Sequence, residues 1–423
     1  MSTESGYGSS IVTRLVLLTG LVLLLNVLLL RAPAPPPGTE QSYCVRVWPL
    51  GHGFRIIENC DSQAFVNLAR SPGQLLTKDN HLWQSRPLYI GIASIVARPL
   101  GWLRSGESTE PEYVAFILMN LALVTLSALF FQRMMTGGAA WSFIELAFPL
   151  VVIAANDVTK AFFWTPHLQM FNLFVPCLTL WLGAWILLRG RPLRPVEAVV
   201  LGLALGLGLL MYGALMITVA SVALAAFVGY RRLLEPILLL VAFVLPFAMW
   251  YVIVLRATGE FYSHEIAAYR QFVWLIDCAR LPAAECSAAV RGAATMFVAA
   301  YGPAVGMPLL LLGLCRLVSR LITPRAATDA DEAELARRVR VRAVTTSVAC
   351  YLAVATPFLA LMGFYAERLG WLLVPAILAL IALELSECRR AAAPLVRRGL
   401  ALGVAVVAIV YIGVLVLTAG PYS

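Results

Sequence analysis

One carboxylate, Asp61, lies where a reaction at a membrane surface could use a base. The segment from Cys60 to Arg70 predicts a short amphipathic helix with Phe65, Leu68 and Ala69 on one face, and Asp61 opens it. Carboxylates at the edge of a bilayer are partly desolvated, which favours proton transfer from a hydroxyl. The same position suits a helix N-cap, because Asp accepts hydrogen bonds from the first free amides. Both interpretations stay open at this point.

Basic side chains in other polar segments could bind an anion such as a phosphate. Arg86 and Arg368 offer the planar guanidinium that suits bidentate contact, and Lys160 offers a point charge. His167 adds an imidazole to the segment that contains Lys160. Each residue also has a plainer role: the two arginines could lie among lipid headgroups, and Lys160 could pair with Asp157.

Further residues in these segments could bind a sugar or a metal ion. Trp164, His81 and Trp83 could stack on a sugar ring, although aromatic residues at this depth also anchor proteins in the membrane interface. Asp157 could orient an acceptor or cap a helix. Asp61 and Asp157 could share one Mg²⁺ or Mn²⁺, but nothing in their spacing predicts a metal site by itself.

The composition places these residues in a membrane protein. Of the 423 residues, 61% are hydrophobic and only 13% are charged, against about 25% charged in ordinary globular proteins. These proportions exclude a disordered chain and a nucleic-acid-binding protein. We therefore interpret the net charge of +9 as a signal of membrane topology rather than of affinity for polyanions.

Eleven apolar segments predict transmembrane helices. They cover approximately residues 11–30, 113–131, 142–155, 168–188, 196–211, 213–229, 233–255, 293–318, 343–362, 370–386 and 399–418. The first segment is longer than the apolar part of a cleaved signal peptide, which is the alternative, and is interpreted as a retained helix. The stretch from Val196 to Val228 is too long for one span and is divided near Tyr212.

The distribution of arginines predicts the orientation. With the N-terminus inside, most loop arginines fall in cytoplasmic connections, including the segment 319–342. The opposite side then receives a first loop, 31–112, and a second large loop, 256–292. The segment from Pro87 to Leu103 is predicted to lie in the outer interface, because counting it as a span would move the arginine-rich loops outside.

The predicted fold class is therefore an all-α polytopic membrane protein. We expect a single membrane domain over residues 1–423, with about eleven transmembrane helices, the N-terminus inside and the C-terminus outside. The long first extracytoplasmic loop is expected to carry interfacial helices, and the loop 256–292 a surface helix that could act as a lid.

Cysteine positions agree with this orientation. Cys44 with Cys60 and Cys278 with Cys286 form local pairs in predicted outer loops, where disulfides can form. The alternative is that these cysteines are unpaired small apolar residues. The other four are placed in helices or inside, and they are Cys177, Cys315, Cys350 and Cys388.

The order of these features resembles the GT-C superfamily of integral-membrane glycosyltransferases. In that family a first outer loop carries an acidic residue at the start of a membrane-surface helix, followed by a Pro-Leu-Tyr-type helix start. A second outer loop often carries another acid, and basic residues next to a proline-containing helix follow late in the chain. The matching residues here are Asp61, Arg86–Tyr89, Asn156–Lys160, Trp164–His167, Glu367–Trp371 and Pro375.

The resemblance implies an inverting glycosyltransferase in the cell inner (plasma) membrane, with its active site on the extracytoplasmic side. Its partners would be membrane lipids, a polyprenyl-phosphate-linked sugar donor, and a lipid, glycan or protein acceptor. Asp61 would be the base, and Arg86, Lys160, His167 and Arg368 would contact the leaving phosphate. The alternatives are a polymerase or ligase of lipid-linked glycans, a lipid or polysaccharide transporter, and a structural membrane subunit.

Overall fold

The computed structural model describes residues 8–31, 45–102, 110–136, 143–322 and 332–417. Within these ranges the chain is almost entirely helical. The α-helices, in chain order, are α1 (Gly8–Leu29), α2 (Ser62–Arg70), α3 (Pro87–Trp102), α4 (Pro111–Thr136), α5 (Phe143–Ala154), α6 (Asp157–Phe162), α7 (Phe171–Leu188), α8 (Pro195–Leu209), α9 (Leu215–Tyr230), α10 (Leu234–Thr258), α11 (His264–Ala267), α12 (Val273–Arg280), α13 (Ala283–Ile322), α14 (Glu332–Met362), α15 (Val374–Ala391) and α16 (Pro394–Leu417). Short 3-10 helices cover Pro72–Leu76, Lys78–Trp83, Leu168–Met170 and Glu367–Leu372.

Eight helical stretches in the described ranges are long and apolar enough to cross a membrane. They are Ile11–Leu29, Pro111–Thr136, Leu168–Leu188, Leu234–Thr258, Ala283–Arg320, Glu334–Met362, Glu367–Ala391 and Pro394–Leu417. Each coincides with a predicted span. The chain is therefore an all-α membrane protein, as its composition predicts.

The other three predicted spans are helices, but short ones. Helices α5, α8 and α9 have 12, 15 and 16 residues. At 1.5 Å per residue they extend over about 18 to 24 Å, less than the roughly 30 Å of a hydrocarbon core. The division of the long apolar stretch near Tyr212 is confirmed, because α8 ends at Leu209 and α9 begins at Leu215. The count of eleven spans and their orientation stay predictions.

The first loop contains a β-hairpin that the sequence analysis missed. Strand β1 (Val45–Gly51) pairs antiparallel with β2 (Phe54–Asn59). The turn between them uses positive φ angles at Gly51, His52 and Gly53, which glycine adopts without strain. Proline is unusual within a strand, so Pro49 made β1 difficult to predict from the sequence. A bulge between Pro49 and Gly51 accommodates it.

Other predictions for this loop are confirmed. Helix α2 begins directly after Asp61 and buries Phe65, Leu68 and Ala69, the predicted apolar face. Helix α3 begins at Pro87, at a proline that fits the first helical turn.

The chain divides into two compact units. The first consists of Met1–Arg70, Ala93–Phe174 and Ala393–Ser423. In it, α4 and α5 pack on α1, α16 packs on α5, and α2 packs on α4. Two amides lie inside its apolar helices, Asn26 in α1 and Asn120 in α4, and both are fully buried.

The second unit consists of Ser71–Ile92 and Val175–Ala392. Helix α8 packs on α10, α9 packs on α14, and α13 packs on α15. The α8–α10 contact is close because Gly202 and Gly206 stand where any side chain would meet the carbonyl oxygens of α10. This small-xxx-small spacing lets two helix backbones approach inside a membrane.

The cysteine prediction is confirmed for one pair. Cys278 and Cys286 form a disulfide that joins α12 to the start of α13. Cys44, the predicted partner of Cys60, lies outside the described residues. The remaining four cysteines are free thiols within helices.

Candidate functional site

In the first unit, Asp61 lies beside His167. The Asp61 Oδ2 atom is 3.8 Å from His167 Nε2, a salt-bridge distance when the imidazole is protonated. About half of the Asp61 side chain is exposed, at 51%, whereas the imidazole is buried, at 9%. The carboxylate therefore faces the imidazole while about half of its side chain stays exposed. Two candidates that lie more than a hundred residues apart in the sequence meet here.

The backbone at Asp61 has the geometry of a helix start. Its carbonyl accepts the first helical hydrogen bond, from the Phe65 amide at 3.2 Å, and its own amide donates to Asn59 Oδ1 at 2.9 Å. Asp61 thus occupies the N-cap position of α2, and about half of its side chain is exposed. Capping of the first amides by its carboxylate stays a prediction.

Aromatic rings hold the imidazole. The His167 ring lies 4.7 Å from the Phe162 ring and 6.1 Å from the Phe65 ring, measured between centroids. Phe65 is fully buried in α2. The same helix therefore positions Asp61 at its start and packs one ring against the histidine that Asp61 faces.

The segment Phe162–His167 is fixed by a buried amide. Asn120 Nδ2 lies within hydrogen-bond distance of three carbonyl oxygens, those of Phe162, Phe163 and Thr165, at 2.9 to 3.2 Å. A buried amide with partners is stable in an apolar helix, whereas one without partners would be costly. Asn120 thus ties the segment that contains His167 to α4.

Three more hydrogen bonds fix the same segment. The Tyr113 hydroxyl donates to the Trp164 carbonyl at 2.5 Å, and Trp164 Nε1 donates to the Asn26 carbonyl at 3.0 Å. The hydroxyls of Ser62 and Thr165 are 2.5 Å apart. The Trp164 indole nitrogen therefore contributes to the fold, and the stacking of its ring on a sugar stays a prediction.

Asp157 and Lys160 lie in α6. The N-cap of this helix is Asn156, whose Oδ1 accepts from the Val158 and Thr159 amides, so Asp157 is not the cap. Asp157 is exposed, while Lys160 is buried and donates to the carbonyl of Leu415 in α16. Lys160 thus has a partner within the unit, and its contact with a phosphate stays a prediction.

Burial lowers the pKa of Lys160 to about 8, and Asp157 opposes this shift. Between about pH 8 and the ordinary lysine value of 10.5, the unfolded chain binds a proton that the folded chain does not. The free energy of unfolding should therefore rise with pH in this window. We expect Lys160→Met to flatten that rise, measured by thermal unfolding at several pH values in one detergent.

The control for this measurement is Lys78→Met. Lys78 is exposed and is the only other lysine in the chain. The control should keep the pH dependence of the wild type. An unchanged rise in Lys160→Met would show that the lysine is solvated in the folded protein.

In the second unit, charged residues gather around Tyr212. Arg86 Nη2 lies 3.0 Å from Glu265 Oε1, and both side chains are about a quarter exposed. Burial raises the pKa of Tyr212 to about 12, Arg86 and Arg368 act to lower it, and Glu265 acts to raise it. Tyr212 lies in the turn between α8 and α9. These contacts bring four segments of the chain to one end of this unit.

The cluster separates the two arginine candidates. Glu265 balances the charge of Arg86. The sequence predicted a phosphate or a lipid headgroup as the partner of Arg86 and did not predict this ion pair. Arg368 is exposed, at the start of the 3-10 helix Glu367–Leu372. Both phosphate contacts stay predictions, and the guanidinium of Arg368 is the more exposed of the two.

The loop after α10 packs on the connection that precedes Arg368. Trp274 Nε1 donates to the Leu361 carbonyl at 2.8 Å, and the rings of Tyr269 and Phe364 stack at 4.1 Å. Gly363 has a φ of +80°, and a side chain there would meet Trp274. The loop predicted as one surface helix is thus two short helices, α11 and α12, anchored on this connection.

The remaining predictions concern His81 and a metal ion. His81 lies in the 3-10 helix Lys78–Trp83. Asp61 lies beside His167, whereas Asp157 acts electrostatically on Lys160 and Tyr411. Across the ranges that the structure describes, no three His, Cys, Asp or Glu residues form a group that could hold a metal ion. A site shared by the two acids stays a prediction.

Several positioning residues were missed from the sequence. They are Asn26, Ser62, Tyr113, Asn120 and Thr165. The two asparagines had a usable signal, because each interrupts a long apolar run and a buried amide needs partners.

No protein-family model, curated protein or solved structure matches this chain.

Proposed function

We propose that this membrane protein is a glycosyltransferase that moves a sugar from a polyprenyl-phosphate donor to a hydroxyl of a lipid, glycan or protein acceptor on the extracytoplasmic face. The observation that carries the proposal is the exposed Asp61 carboxylate beside the buried His167 imidazole. A fixed carboxylate at the start of a surface helix suits a general base. The membrane setting favours a lipid-linked substrate.

In the proposed reaction Asp61 accepts the proton of the acceptor hydroxyl. The acceptor oxygen forms a bond to C1 of the sugar, while the bond from C1 to the phosphate oxygen breaks. The electron pair of that bond leaves with the polyprenyl phosphate. A single displacement inverts the configuration at C1, so the product and donor should have opposite anomeric configurations.

His167 supports this step by its position. The imidazole lies 3.8 Å from the carboxylate and orients it toward the acceptor hydroxyl. The aromatic rings and the bonds to the segment Phe162–His167 keep the imidazole in place. Catalytic groups need such support, since small displacements cost large factors in rate.

The test is a transfer assay with the purified chain in liposomes. The liposomes contain a pool of polyprenyl-phosphate donors that carry radiolabelled sugars, and the acceptor pool is added from membrane extracts. Transfer predicts label in the acceptor and a matching amount of free polyprenyl phosphate. Movement of intact donor across the bilayer without its cleavage would overturn the proposal and support a transporter.

A second result would separate a transferase from a glycan polymerase or ligase. Single-sugar donors should be consumed one at a time by a transferase. Activity only with donors that carry a preformed oligosaccharide would instead favour the polymerase or ligase.

A separate proposal concerns Arg368 of the second unit: its exposed guanidinium contacts an anionic group of the lipid-linked donor, and this role is independent of the position of Asp61. A charge-assisted hydrogen bond to phosphate is stronger than a neutral one, so we expect Arg368→Gln to raise the KM for donor about tenfold. The kcat should fall much less. Steady-state kinetics over a range of donor concentrations measure both constants.

The matched control is Arg280→Gln. Arg280 is also exposed and ends α12 in the same unit. Its replacement removes the same charge and should leave the KM within about twofold of the wild-type value. Equal KM values for donor in both variants and in the wild type would contradict the proposed contact between Arg368 and the donor.

A further inference from the structure

One exposed face of α14 changes from basic to small and apolar along the helix. Arg338, Arg342, Thr345, Ala349 and Ala353 are all exposed and follow one another at intervals of three or four residues. Side chains at this spacing lie on the same face of a helix. The face is therefore a stripe with a basic end and a narrow apolar continuation.

Two adjoining cavities lie along this stripe. The first, of about 290 Å³, is lined by Arg337, Arg338 and Arg342 together with Glu387. The second, of about 360 Å³, is lined by Ala349 and other small residues of α14 and by side chains of α9. Thr345 and Thr346 line both cavities. We call the two together the α9–α14 groove.

The apolar part of the groove has the chemistry of a hydrocarbon binding site. Its walls are Leu224 and Val228 from α9 and Ala349 and Ala353 from α14. The two alanines have short side chains, so space remains between α9 and α14. A slender apolar chain would fill it.

The basic part of the groove contains three arginines, some of which form ion pairs. Arg337 pairs with Glu334 and Glu387, and Arg338 pairs with Glu334. Arg342 lines the same cavity, and it makes no ion pair or hydrogen bond with any residue in the described ranges. An exposed guanidinium at the mouth of an apolar groove complements an anionic headgroup attached to an acyl chain.

We propose that the α9–α14 groove binds an anionic phospholipid, with its phosphate at Arg342 and Arg338 and one acyl chain along Ala349 and Ala353. Basic pockets between transmembrane helices on the cytoplasmic side bind such headgroups. The arginine distribution predicts that this end of α14 faces the cytoplasm. The proposal does not depend on the proposed glycosyltransferase activity.

The observations favour a lipid over a second copy of the chain. Another copy would bring the same unpaired arginine to the contact, and like charges would repel. An anionic lipid neutralises that arginine instead. A dimer through the groove is therefore an outcome that the test must be able to detect.

The experiment is native mass spectrometry of the delipidated full chain, titrated with phosphatidylglycerol or phosphatidylcholine that has the same acyl chains. We expect phosphatidylglycerol to bind more tightly than phosphatidylcholine. Arg342→Gln should weaken phosphatidylglycerol binding about fivefold, and the double variant with Arg338→Gln about 25-fold, as expected when each arginine near an anionic headgroup contributes about a fivefold factor.

Two further variants sharpen the test. Ala349→Leu fills the apolar part without changing the charge, and should weaken phosphatidylglycerol at least as much as Arg342→Gln. The control is Arg320→Gln, since Arg320 is exposed in α13 and does not line the groove. It should bind phosphatidylglycerol within twofold of the wild type.

A wild-type measurement guards against variants that fail to fold. A phosphatidylglycerol analogue with a photoreactive acyl chain should label peptides from α9 and α14. The proposal would be overturned by equal binding of both lipids, by unchanged binding in Arg342→Gln or Ala349→Leu, or by labelling confined to other helices. Masses of a dimer that phosphatidylglycerol does not dissociate would overturn it in favour of the second copy.

Discussion

Replacing Asp61 with Asn is expected to lower the rate of sugar transfer by about 10²- to 10⁴-fold, the usual contribution of a general base. The amide keeps the size and shape of the carboxylate but does not accept the acceptor proton. The effect should appear in kcat, and the KM for donor should change little. The measurement is initial rates of transfer at equal amounts of folded protein.

This substitution separates the two roles of Asp61. Asn is as good an N-cap as Asp, so α2 should start at the same residue and the melting temperature should change little. A loss of transfer without a loss of stability therefore reports the carboxylate charge. Asp61→Ala would remove both roles and would not distinguish them.

Asp79→Asn is the matched control, because Asp79 is an exposed acid in the same predicted loop. It should keep the wild-type rate. If Asp61→Asn transfers sugar as fast as the wild type, Asp61 is only a helix cap. The base would then be sought at Asp157, which is exposed at the start of α6.

Local features of this fold could be predicted from the sequence. Apolar runs such as 113–131 predicted their helices because every backbone N–H and C=O group inside a membrane needs a hydrogen-bond partner. A helix provides these partners within the segment itself. The amphipathic spacing of Phe65 and Leu68 likewise predicted both α2 and its buried face. These are local properties, read within one or two turns.

The pairs that build the candidate sites are not local. Asp61 and His167, or Arg86 and Glu265, are distant in sequence and meet only when helices from different parts of the chain pack. The pattern within one segment does not indicate which distant residue a given side chain will contact. The residue types were therefore predictable as candidates, whereas their pairing was not.

Lys160 shows what residue type alone leaves undetermined. As one of two lysines in an outer segment it was a reasonable phosphate ligand. In the structure its amine is buried and donates to the Leu415 carbonyl, near the end of α16. A six-residue helix is too short for its periodicity to show which side chains are buried, so the burial of Lys160 could not be predicted from the sequence.

A second large effect is expected at Gly206, where α8 crosses α10. A Cβ atom at this position would lie 2.3 Å from the carbonyl oxygen of Phe243 and 3.0 Å from Pro246 Cδ. The nearest atom belongs to the backbone, so α8 must move to relieve the contact. We expect Gly206→Ala to lower the free energy of unfolding by about 1–3 kcal/mol, the usual range for overpacking. Gly206→Leu should leave little folded protein.

The sign of the effect makes the test sharp. Alanine in a helix interior is normally more stable than glycine by about 0.5–1 kcal/mol, so a Gly→Ala change without a clash should be neutral or stabilising. Gly313 provides that case, because it lies within α13 and nothing would meet its side chain. Thermal unfolding in detergent should give a lower melting temperature for Gly206→Ala and an equal or higher one for Gly313→Ala.

The same substitution connects packing to the charged cluster. Helix α8 ends three residues before Tyr212, and the Leu210 carbonyl at its end accepts from the Leu88 amide at 3.2 Å. A displaced α8 would therefore move Tyr212 relative to Arg86 and disturb the charged cluster along with the packing. Unchanged stability in Gly206→Ala would mean that α8 and α10 are farther apart in the membrane than the close backbone contact implies.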